Sequence, residues 1–73
     1  MVNRKVKKKL ETKKRELCMN LENNYKDLAR DALKEYASAV EELYQQGELK
    51  EKDYIRYKSD VETYKERMKG YHH

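Results

Sequence analysis

Seventy-three residues, 44% charged and 37% hydrophobic, make at most one small domain, and a core of that size supplies only ~3–5 kcal/mol. No Pro and two Gly deny the chain the turn signals that a β-sandwich or barrel needs every ~8–12 residues, and no apolar run approaches the ~18 residues of a membrane span. The formal charge of +4 is unevenly spread: residues 1–15 hold Arg4, Lys5, Lys7, Lys8, Lys9, Lys13, Lys14 and Arg15 against Glu11, a local +7, while the other 58 residues sum to −3. The reading is an all-α, cytoplasmic protein without a secretory signal, since no apolar stretch follows the first charges. Its Lys- and Tyr-rich usage points to an AT-rich bacterial genome or its mobile elements.

In chain order, Val6, Leu10, Leu17, Leu21, Tyr25 and Leu28 form a thin apolar stripe at helical spacing. Asn23–Asn24 can either break this helix or sit inside it. A break makes a three-helix bundle, with Asn24 as N-cap and Asp27 at the third helical position. Continuity makes one helix from about Arg4 to Gln46. The low apolar density before Leu17 favours continuity, with a basic helical arm over 1–22 overhanging an antiparallel hairpin of 25–46 and 50–69. Either way Leu10, Leu17, Cys18 and Leu21 need cover that a helix of ~20 residues packed on 28–46 cannot reach, and a second copy or a partner would supply it.

From Leu28 to Tyr44 the apolar positions 28, 29, 32, 33, 36, 37, 39, 40, 43 and 44 paint one broad helical stripe. Gly47 stands where a helix C-terminus needs a left-handed residue. Glu48, Glu51 and Asp53 then crowd the next helix start, which its positive dipole end favours. Tyr54, Tyr57, Val61, Tyr64, Met68 and Tyr71 step by 3, 4, 3, 4, 3, a heptad seam. Two helices joined by so short a turn run antiparallel.

Residues 40–61, VEELYQQGELKEKDYIRYKSDV, resemble the short C-terminal hairpin of the SHOCT family at Leu43, Gly47, Leu49, Glu51, Asp53–Tyr54 and Lys58. The family's usual Ile-Thr after the glycine is Leu49–Lys50 here, and its usual Phe is Tyr54. The resemblance implies a helical hairpin used for association, with no catalytic residues to carry over.

Chemistry is sparse. Cys18 is alone, so neither a disulfide nor a CxxC pair is available, and its place between Leu17 and Leu21 suits a small buried hydrophobe. His72–His73 are adjacent at the end and lack the further ligands a metal site needs. The carboxylates alternate with Lys at helical spacing, as in Glu62–Glu66 with Lys65 and Lys69, a solvated face rather than an acid–base dyad. No phosphate loop or nucleophile elbow is present. The expectation is a non-enzyme with no cofactor and no metal.

Seven Tyr and no Phe or Trp are the unusual usage. Half-covered amphipathic rings suit a small core, and they also suit an interface. The first functional expectation is therefore a protein-binding helical module (a small regulator, adaptor or inhibitor), docking a larger protein or its own copy through Leu10, Leu17, Leu21, Tyr54, Tyr57 and Tyr64. The alternative is a nucleic-acid-binding accessory protein using Arg4, Lys5, Lys7, Lys8, Lys9, Lys13, Lys14 and Arg15 on the phosphate backbone. A membrane-surface role is disfavoured, because residues 1–22 carry no aromatic anchor.

Overall fold

A computed structural model describes residues 4–69. They form α1 (Arg4–Glu22), α2 (Lys26–Gln45) and α3 (Glu51–Lys69), with no strand among them. The all-α reading and the α2–α3 hairpin hold. Residues 1–22, however, are not an overhanging arm. A continuous helix over 4–46 would be about 64 Å long, whereas the molecule measures 39 × 18 × 15 Å.

The break falls at Asn24, which adopts a left-handed conformation with φ 59°. Asn reaches that region more readily than other non-glycine residues. The Asn24 amide donates to the Leu21 carbonyl at 3.2 Å and the Tyr25 amide to the Asn20 carbonyl at 2.9 Å. Those two bonds make a Schellman stop, which satisfies carbonyls the ending helix would leave orphaned. Asn24 thus closes α1 instead of capping α2, a correction to the sequence reading. Tyr25 takes the N-cap position of α2 without a side-chain cap bond.

The same device ends α2. Gly47 has φ +80°, its amide donates to the Tyr44 carbonyl at 3.1 Å, and the Glu48 amide to the Leu43 carbonyl at 2.8 Å. The buried Leu49 follows directly. A Cβ at Gly47 would meet nothing within 4 Å, so substitution there acts through the backbone, at about 1–2 kcal/mol. Gly47→Val is expected to lower the urea midpoint at unchanged m-value, and Asn24→Gly to leave it equal or slightly higher. An unmoved midpoint for Gly47→Val would contradict the left-handed stop.

Helix α2 is the centre of the molecule. It buries Ala29, Ala32, Leu33, Tyr36, Ala39, Val40 and Leu43, and its three small alanines let neighbours approach closely. α1 and α3 flank it, each packed on α2, while their own backbones stay apart. α1 contributes Val6, Leu10, Leu17 and Leu21 to one continuous core; Val61 and Tyr64 come from α3. Each fully buried Leu is worth ~1.5–3 kcal/mol, which is what folds the basic helix back onto the body. The α2 stripe is narrower than its sequence pattern: Leu28 and Tyr44 stay exposed. Among the described residues no helix is long and apolar enough to cross a membrane.

Candidate functional site

The residues read as a partner-binding set divide in two. Leu10 and Leu17 are fully buried and Leu21 nearly so. The cover they were expected to take from a partner comes from this chain's own core, and the stripe is not a free docking surface. The tyrosines of α3 are also employed internally. The Tyr64 ring is buried, and its hydroxyl lies 3.1 Å from the Cys18 Sγ, where either group can donate. Tyr54 stacks on Tyr44 with centroids 3.9 Å apart and planes 11° from parallel. Tyr57 packs half-buried against the core. Tyr71, His72 and His73 lie outside the described residues.

Two polar ties staple α3 to the rest. The Tyr54 hydroxyl donates to the Glu41 carboxylate at 2.8 Å, and the Lys58 ammonium donates to the same carboxylate at 2.9 Å. The Lys58 and Tyr54 hydrogen bonds hold Glu41 below the usual carboxylate range, and Glu41 in turn holds the Lys58 ammonium well above its ordinary value. On the other side Lys14 pairs with Asp60 at 3.0 Å. Burial, and then the Cys18 contact, push Tyr64 up to about 12. Tyr36 is fully buried; burial and then the nearby Asp60 carboxylate raise its phenol far above the usual range, although among the described residues its hydroxyl has no partner in hydrogen-bonding geometry. Glu41 and Asp60 carry no signal in the sequence pattern, because their partners are 13 to 46 residues away.

The basic residues behave differently. Lys13 approaches Glu35 at 3.9 Å and Lys14 is held by Asp60, so both serve the fold. Among the described residues, Arg4, Lys7, Lys8, Lys9 and Arg15 form no ion pair, and all five side chains are exposed. Arg4, Lys7, Lys8 and Arg15 line one shallow depression along α1 together with Glu11 and Thr12. Lys9 lies on the opposite flank, beside Lys13, Lys34 and Glu35 where α1 meets α2. The face is chemically simple, a row of cations on a rigid helix with Glu11 as the acid within the depression.

The start of α1 runs against its own electrostatics. Its first turn holds no acidic residue and begins with Arg4, Lys5 and Lys7, where the helix dipole disfavours cations by ~0.3–1 kcal/mol each. The first turn of α2 sets Asp27 against Lys26, and that of α3 sets Glu51 and Asp53 against Lys52. Of the three helices, α1 alone has a net positive first turn. No family model matches this chain, and no curated protein or solved structure matches it significantly.

Proposed function

We propose that this chain is a small non-enzymatic nucleic-acid-binding protein whose contact surface is the outer face of α1. The observation that carries the reading is the set of five exposed cations without an ion pair among the described residues, Arg4, Lys7, Lys8, Lys9 and Arg15. Keeping a solvated surface soluble does not require cations clustered where the dipole opposes them. The negative potential of a nucleic acid beside that face offsets both the mutual repulsion and the dipole term. Each phosphate contact releases counterions, so log affinity falls with log salt at ~−0.9 per phosphate neutralised. For a 20-base-pair duplex of mixed sequence the expected slope is about −2 where two of these cations meet phosphates and about −4 where all five do, an affinity loss of roughly 10- to 300-fold between 50 and 200 mM salt. Fluorescence anisotropy reads this directly. Absence of binding at 50 mM, or binding indifferent to salt, would sink the reading.

A second reading, a regulator or adaptor that docks a larger protein, is supported by a different surface. Met19, Tyr25 and Leu28 are each more than half exposed around the α1–α2 corner. The SHOCT resemblance of the α2–α3 turn also supports association. The buried leucines and the internally held tyrosines no longer contribute to it.

A further inference from the structure

The flanks of α1 say what form of nucleic acid this face takes, an inference that rests on the reading above. At 100° per residue, Arg4, Lys8, Glu11, Thr12 and Arg15 share the solvent crest of the helix, opposite the buried Val6, Leu10 and Leu17; Met19 and Glu22 continue the crest in the last turns, and Lys5 and Glu16 lie between it and Lys9. Lys7 and Lys9 stand to either side of that crest. Lys7 opens into the depression shared with the crest, and Lys9 lies on the α2 side. Cations therefore border both edges of an exposed helix about 10–12 Å across.

We infer that α1 lies in the major groove of duplex DNA. That groove is ≈ 12 Å wide and admits an α-helix. Its two walls are phosphate backbones, one for Lys7 and one for Lys9, while the crest faces the base edges. Arg4, Lys8 and Arg15 there carry donors suited to guanine, and Glu11 an acceptor suited to cytosine. Glu11 would be repulsive if α1 lay along a single phosphate chain, but it is accommodated where the crest faces bases. Other forms of nucleic acid fit less well. A single strand is gripped by one groove of cations with aromatic platforms, and α1 contains no aromatic residue. Duplex RNA has a major groove too deep and narrow for side chains to read.

The test compares three 20-mers of one sequence by fluorescence anisotropy at 100 mM salt: duplex DNA, its single strand and duplex RNA. The duplex DNA is expected to bind at least tenfold more tightly than either of the others. Lys7→Gln and Lys9→Gln are each expected to weaken it by a similar factor and to flatten its salt slope by about one. Equal affinity for all three ligands, or sensitivity to Lys7 with indifference to Lys9, overturns the groove placement and leaves nucleic-acid binding standing. No binding to any of the three at 50 mM salt removes both.

Discussion

Leu17→Ala is expected to destabilise the isolated protein by about 2–5 kcal/mol, because the side chain is fully buried and a helix pair collapses only partly into the space left. In a domain this small each kcal/mol moves the melting temperature by roughly 4–8 °C, so a fall of about 10 °C or more should be read by circular dichroism. Leu28→Ala is the matched control. Leu28 is 55% exposed, and surface changes of that kind stay within about 0.5 kcal/mol. An overhanging arm would reverse the pair, making Leu17 harmless and Leu28 costly. The comparison therefore asks whether α1 belongs to the fold, without reference to any ligand.

The second large effect concerns charge. Replacing Arg4, Lys7 and Lys8 together by Gln should raise stability and abolish most binding at once. Arg4 and Lys7 stand in the first turn of α1, where each cation costs ~0.3–1 kcal/mol, and the Arg4–Lys8 repulsion at i,i+4 adds ~0.2–0.5. Removing them is expected to add about 1 kcal/mol at low salt, a rise of roughly 4–8 °C in melting temperature. Duplex affinity should fall steeply, with the salt slope flattened by about one for the phosphate contact of Lys7 and sequence preference relaxed by the loss of Arg4 and Lys8. A substitution that stabilises a protein while removing its ligand marks a surface kept at a cost to the fold.

How much of this was legible depends on distance along the chain. The α2–α3 hairpin was readable because its signals are local: a glycine at the turn, acids at the start of α3, and a heptad of tyrosines. Asn24 was ambiguous for a physical reason, since Asn fits a helix interior and the left-handed region alike, and only the packing of α1 on α2 chooses between them. That packing rests on pairs such as Lys14–Asp60 and Cys18–Tyr64, both 46 residues apart, which no periodicity announces. Four apolar residues on α1 looked too few for a core face. They suffice because the Tyr36 and Tyr64 rings fill volume that aliphatic residues of α1 would otherwise supply. The basic face was visible in the sequence; which of its cations are unpaired was not, because Lys13 and Lys14 are claimed by Glu35 and Asp60.

The central claim is that α1 is folded into the bundle and holds an unfavourable row of cations for an anionic ligand. The most direct single measurement is the melting temperature of the natural protein and of the Arg4→Gln, Lys7→Gln, Lys8→Gln variant at 50 mM salt, each with and without duplex DNA in excess. Ligand that binds only the folded state stabilises it by about 2.7 kcal/mol at a hundredfold excess over the dissociation constant. The account predicts that the variant alone melts several degrees above the natural protein, and that duplex raises the natural protein's melting temperature by 10 °C or more while barely moving the variant. A variant that melts lower, or a duplex that moves neither protein, would contradict it.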